Sequence, residues 1–331
     1  MEVTSTKVSK RPKRHALLIV LATLVILTSA SFWICHQALK AEAYSRYMGV
    51  RNLSSEKIAR IIRGVEMNAQ NIFDEVHDNH ETPEDVIKSL ESKVNLNLDV
   101  RGYFAAFEPD FFPEKGTWFE PYIYQPDHGG FEYRQVGSAR HNYMKSPWYV
   151  RAKETGQSFW SDPYYYYDGT SMSGHYCTFI KPLYDDKGEL MCVCGADMKF
   201  EWLAKELEWV DNSSRYNDEL NKYHLFSDFN FYTIILNNDG TCIAHPGEDN
   251  LVFNDEEMLK NLKHNKGGMT EQKLNGESCM IYYGPIEFVD WSIAVVVPSW
   301  DFIKPILPAA GVFLLIATIG MILLWFELKK R

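Results

Sequence analysis

The chain has 331 residues, with 34 Lys and Arg against 44 Asp and Glu, for a net charge of −10. A surface of that sign repels nucleic acid and anionic lipid, so neither is an expected partner of the exposed part of the chain. Six cysteines contain no CxxC pair, which leaves zinc or thioredoxin-like chemistry without support.

Five basic residues, Lys7, Lys10, Arg11, Lys13 and Arg14, precede a run without charge from Ala16 to Cys35. Twenty such residues reach across a bilayer core of ~30 Å as a helix. A cleaved signal peptide is the alternative, with Ser29-Ala30-Ser31 as the small-residue site. A second charge-free run, Ile306 to Phe326, is followed by Lys329, Lys330 and Arg331. Basic flanks stay on the cytoplasmic side. The expected organisation is therefore a cytoplasmic basic tail (1–15), a transmembrane helix (16–36), an extracytoplasmic region (37–301), a second transmembrane helix (303–326) and a cytoplasmic stub (327–331). Residues 36–303 hold 25 Lys and Arg against 42 Asp and Glu, so the exported part carries the acidity.

A helix is expected from about Ala41 to His77. Ile58, Ile62, Val65, Ala69, Ile72 and Val76 are spaced four and three apart in alternation, a heptad seam. Such a seam either pairs two copies as a parallel homodimer or packs on the chain's own sheet. Thr82 can cap the next helix, with Pro83 at its first position. Strand-like segments follow at Val100–Phe107, Trp118–Tyr124 and Phe131–Val136, the last two separated by the turn signal Asp127-His128-Gly129-Gly130.

The stretch from Pro147 to Asp197 organises the rest. It reads as a short helix with Trp148 and Tyr149, then an aromatic strand through Trp160-Ser161-Asp162-Pro163-Tyr164. Two more strands join at Asp185-Asp186-Lys187-Gly188, and Asp197 ends the last. A small sheet over a short helix leaves a concave pocket. An amphipathic connector (199–223) carries Leu203, Leu207 and Val210 on one face. A second unit (224–301) then repeats the grammar. Phe231–Leu236 and Thr241–His245 flank an Asn237-Asn238-Asp239-Gly240 turn, a helix is expected over Phe253–Lys263, and strands over Met280–Tyr283 and Trp291–Val297.

In order and spacing these residues resemble the double Cache sensor domains of bacterial transmembrane receptors. The matching elements are Trp148-Tyr149, Trp160-Ser161-Asp162-Pro163-Tyr164, Pro182 with Gly188, Gly195-Ala196-Asp197, Asp239-Gly240 and His245-Pro246. The resemblance spans about residues 37–301. It implies an α+β fold: two tandem PAS-like Cache units behind one long N-terminal helix, flanked by two transmembrane helices. It also implies a small-molecule ligand in the membrane-distal unit (80–198), the membrane-proximal unit being 224–301. The ligand-binding residues it implies are Trp148, Tyr149, Tyr164, Asp197, Ser146 and Tyr103. The implied location is the bacterial inner membrane, with residues 37–301 periplasmic.

One position departs from the family. The amino-acid-binding branch has an arginine two residues before the tryptophan; here that slot is Ser146. Serine lacks the planar fork that clamps a carboxylate, and Lys145 and Arg151 are only neighbours. Aromatic faces with a carboxylate suit a cation, so an amine or small polar molecule is expected before a standard amino acid.

No HExxH, P-loop or GxSxG motif occurs, so no enzymatic activity, cofactor or metal is expected. Gly169–Gly174 and His77–Glu81 read as a loop and a solvated helix end. Cys242 and Cys279 form either a bridge or free thiols, and Cys192 and Cys194 share one strand face, splayed from each other. Receptors of this family commonly continue into a cytoplasmic output module. Five residues follow Phe326 here, so either the sequence is a truncated product or a separate cytoplasmic partner reads the helices. An anchored adaptor or ectoenzyme is the competing reading.

Overall fold

A single helix, α1 (Arg11–Asp78), runs through the charge-free N-terminal run and the whole heptad seam. The computed structural model describes residues 11–92, 97–126, 129–166, 173–216, 230–244, 251–304 and 306–330. Between the two expected helical pieces stand His36-Gln37-Ala38-Leu39-Lys40, with neither Gly nor Pro, so nothing interrupts the backbone ladder. The seam residues Ile58, Ile62, Val65, Ala69, Ile72 and Val76 are all buried, in one core cluster with both sheets. Of the two outcomes open in the sequence, packing on the chain's own sheets is the one realised. The seam is therefore not free to form a coiled coil with a second copy.

After α2 (Pro83–Ser92), the first sheet is antiparallel. Its strands are β1 (Gly102–Phe107), β2 (Pro121–Tyr124), β3 (Glu132–Gln135), β4 (Phe159–Trp160), β5 (Tyr164–Tyr166), β6 (Gly174–Tyr184) and β7 (Leu190–Lys199). Their order is β3-β2-β1-β7-β6-β4, with β5 also paired to β6. The short helix α3 (Pro147–Thr155) lies over one face. Ser146 precedes it in extended conformation, Pro147 opens it, and Gly156 ends it at φ 65°, the left-handed region that glycine enters without strain. The β6–β7 turn is held by Asp185, whose Oδ1 accepts from Lys187 N and Glu189 N, each at 2.9 Å.

The connector α4 (Phe200–Tyr216) buries Leu203, Leu207 and Val210 as its periodicity requires. Asp211 pins it to the second sheet, accepting from Thr233 N at 2.8 Å and Thr233 Oγ1 at 2.5 Å. Lys57 of α1 pairs with Glu206 at 2.6 Å and lies over the Trp209 ring. The second sheet contains β8 (Tyr232–Asn237), β9 (Cys242–Ala244), β10 (Gly268–Leu274), β11 (Glu277–Pro285) and β12 (Trp291–Pro298), in the order β10-β11-β12-β8-β9. Helix α5 (Glu256–Lys263) starts later than expected because Asp255 caps it, accepting from Met258 N at 2.6 Å. Strand β10 was not expected. It is a sheet edge with side chains that are mostly polar, so no apolar alternation marks it.

Two helices are long and apolar enough to cross a bilayer: the N-terminal part of α1, and α6 (Ile306–Lys330). Leu18, Ile26, Trp33, Leu314, Ile316 and Leu323 on them are exposed, and the two helices pack on each other. The cysteines are free thiols, and Cys192 and Cys194 stand with Sγ atoms 3.8 Å apart. Asp127-His128, Gly169–Met172, His224 and His245-Pro246 lie outside the described residues.

Candidate ligand-binding site

Strand alternation gives the first sheet two unlike faces. Tyr103, Ala105, Phe107, Cys192, Cys194, Ala196, Cys177 and Phe179 turn to α1 and join its core. Phe104, Ala106, Tyr122, Ile180 and Val193 turn to α3. The register places Asp197 opposite both Gly102 and Thr178, and Gly195 opposite Phe104 and Ile180, on that same α3 side. Two glycines make room there. A Cβ at Gly195 would collide with the Phe104 ring, and one at Gly102 would lie 2.6 Å from the Tyr122 ring. Large aromatics can thus lie flat on the sheet and floor a cavity.

That cavity has a volume of about 490 Å³. Phe104, Trp148, Phe159, Ile180 and Val136 supply its apolar wall, with Trp148 against Phe104 at 5.1 Å between ring centres. Its polar groups converge on Asp197. Thr178 Oγ1 donates to Asp197 Oδ1 at 2.6 Å, and Tyr164 OH approaches the same oxygen at 3.4 Å and Thr178 Oγ1 at 2.8 Å. Thr178 N donates to Ser161 Oγ at 2.9 Å, which fixes β4–β5 against β6.

Burial pushes the Asp197 carboxyl up to about 6, while hydrogen bonds from Thr178, Tyr122 and Tyr164 pull it back. Burial, and then the nearby Asp197 charge, hold the Glu120 carboxyl well above the usual carboxylate range. The same two causes raise the Tyr122 and Tyr164 phenols. Burial holds the His141 imidazole below its ordinary range. Arg151 at the cavity mouth is exposed and stacks over the Phe159 ring at 3.9 Å.

Of the six residues expected to bind a ligand, Ser146, Trp148, Tyr164 and Asp197 line this cavity. Tyr149 and Tyr103 do not. On a helix, adjacent side chains point about 100° apart, so Trp148 facing the cavity turns Tyr149 into the core. There Tyr149 donates to Glu108 Oε1 at 2.9 Å and packs against Tyr143. Tyr103 is one residue out of register with the cavity face and packs on Phe73 of α1. The sequence reading missed Glu120, Tyr122, Phe104 and Thr178. Glu120 did leave a signal, as the one acid inside the aromatic run Trp118-Phe119-Glu120-Pro121-Tyr122.

Among the described residues no group of three or more His, Cys, Asp or Glu is placed to hold a metal ion. The His77–Glu81 segment caps the end of α1 locally, with His80 Nδ1 on His77 O at 2.5 Å.

Residues 86–205 match the family model described as the first PDC sensor domain of methyl-accepting chemotaxis protein-like receptors. No curated protein matches the sequence. Among solved structures, the periplasmic sensory domain of the Campylobacter jejuni chemoreceptor Tlp1 superposes with a TM-score of 0.64 at 14% identity, covering 81% of this chain and 99% of that one. The extracellular domain of the putative histidine kinase mmHK1S-Z3 gives 0.61 at 21% identity, covering 81% and 98%. The ligand-binding domain of Mlp24, solved with asparagine, gives 0.55 at 19% identity, covering 82% and 98%. At these identities the likeness establishes the fold. The double Cache-type fold expected from the sequence is the fold these structures share, and residues 86–205 match a PDC sensor-domain model.

Proposed function

We propose that residues 37–301 sense an extracytoplasmic small molecule, held in the cavity of the distal unit (80–198), and that α1 and α6 anchor this region in the membrane. Both termini are then cytoplasmic. The observation that carries the reading is a cavity of about 490 Å³ with aromatic walls and desolvated carboxyls inside. A packed adaptor has no use for such a void, because an empty one forfeits contacts and the buried acids cost stability.

The same observation favours the ligand's charge. Asp197 and Glu120 are both inside, and Arg151, the arginine among the described lining residues, stands exposed at the mouth on an aromatic ring. A protonated amine repairs the desolvation of a carboxyl and gains from the faces of Trp148 and Phe104. A carboxylate ligand would meet Ser146 where a fork is needed. The reading is therefore an amine sensor.

Ligand occupancy has a path out of the cavity. Trp160, between the lining residues Phe159 and Ser161, donates from Nε1 to Glu66 of α1 at 2.8 Å and packs on Trp291 of the second sheet. A ligand that binds one arrangement of this contact more tightly shifts α1 and the second unit together. The test is a thermal-shift screen of amines, amino acids, carboxylates and sugars on the full chain in nanodiscs. Amines raise the melting temperature of the wild type and not of Trp148→Ala. Stabilisation by carboxylates or sugars alone would contradict the reading.

A further inference from the structure

Glu120 stands apart from the Asp197 network. It lies directly before β2, on the same side of the sheet as Tyr122, and is 4% exposed. Its Oε2 has no hydrogen-bond partner among the described residues, and His141 Nε2 lies 3.8 Å from it. The backbone cannot swing the carboxyl elsewhere. Glu120 N is held by Gln135 Oε1 at 3.3 Å and Glu120 O by Val136 N at 3.0 Å. A buried acid with an orphaned oxygen and an imidazole beyond bonding distance is costly, whereas structural buried acids carry full sets of donors. Asp211 shows the contrast, with both oxygens taken by Thr233.

The second acid also has a definite place relative to the first. Strands β2 and β7 flank β1, so Glu120 and Asp197 are two strand spacings apart laterally, roughly 10 Å, and the register offsets them by four residues along the strands, roughly 13 Å, a gap that their side chains shorten from both ends. Between them lies Phe104 of β1, with Trp148 of α3 against its ring. The cavity thus reads acid, apolar waist, acid.

We propose that the ligand is a diamine: one ammonium on Asp197, a short alkyl chain along Phe104 and Trp148, and the second ammonium on Glu120 with His141 beside it. This rests on the amine reading of the site and narrows it. Arg151 does not neutralise the second acid, since it is exposed and already stacked on Phe159.

The experiment is calorimetric titration of the full chain in nanodiscs with 1,4-diaminobutane, n-butylamine and L-lysine. The wild type, Glu120→Gln and Asp197→Asn are compared. The diamine is expected to bind the wild type at least about tenfold more tightly than the monoamine. In Glu120→Gln that advantage disappears, and an unchanged circular-dichroism spectrum shows that the variant is folded. Asp197→Asn weakens both. A diamine preference unchanged in Glu120→Gln would overturn the proposal, as would monoamine and diamine binding equally to the wild type; in either case the amine reading survives. L-lysine binding more tightly than the diamine would overturn it in favour of a zwitterion at Arg151. Binding by none of the three would remove the diamine and the amine reading together.

Discussion

Asp197 folds with its carboxyl at about 6, against about 3.9 for an unfolded aspartate, because burial outweighs the donors of Thr178, Tyr122 and Tyr164. Between those two values the folded chain holds the proton more often than the unfolded one. Its stability therefore falls as pH rises from about 4 to about 6, and the loss is complete above that window. Two pH units of displacement correspond to roughly 3 kcal/mol at most. Asp211, also pushed up to about 6 by burial, contributes in the same direction and persists in a variant. Denaturant melts of ligand-free protein at about pH 4.5 and about pH 7.5 measure the slope. Asp197→Asn is expected to shrink it, and an unchanged difference would show that Asp197 is ionised and solvated in the empty site. The position of this residue was readable, since a Gly-x-Asp at a strand end has a face fixed by alternation. Tyr103 falls on the opposite face of the sheet from Asp197, packed on α1 and outside the cavity lining. One residue decides which face a strand side chain takes, and the sequence does not print the partner strand.

At the scale of elements, the site depends on aromatics lying on glycines. Gly195→Ala forces the Phe104 ring off β7, and is expected to cost about 1–3 kcal/mol by overpacking and to abolish ligand-induced stabilisation. Wild-type stability and binding in that variant would mean that Phe104 has a second place to go. Strand β4 connects the cavity to α1 through the Trp160–Glu66 hydrogen bond. Trp160→Phe keeps a ring against Trp291 and removes the donor. Hydrogen exchange around Glu66 should slow on ligand binding in the wild type and not in Trp160→Phe; equal protection in both would place the relay elsewhere. The elements themselves were largely legible. Period, caps and turn residues marked α2, α3, α4, β6, β7 and β8, whereas β10 escaped because its side chains are mostly polar and it pairs on one edge only. The heptad seam was seen but not its partner, since a narrow apolar stripe serves a sheet as well as a second helix.

At the scale of the molecule, α1 is the common spine: its apolar end lies against α6, its middle packs on the second sheet, and its far end on the first. An event in the cavity is thus one helix away from the charge-free N-terminal run. The topology makes a direct prediction. Cysteine introduced at Glu114, which is exposed, should react with a membrane-impermeant maleimide in whole cells, and cysteine introduced at Thr4 only after lysis. Equal labelling of both before lysis would contradict the orientation.

The central claim is that a desolvated carboxyl in this cavity takes a cationic ligand. It is tested most directly by the dissociation constant of the best-stabilising amine for the wild type and Asp197→Asn at about pH 7.5, side by side. The account expects the variant to bind at least about tenfold more weakly, because the charge that the ammonium meets is gone. Equal affinity in the two proteins would contradict it.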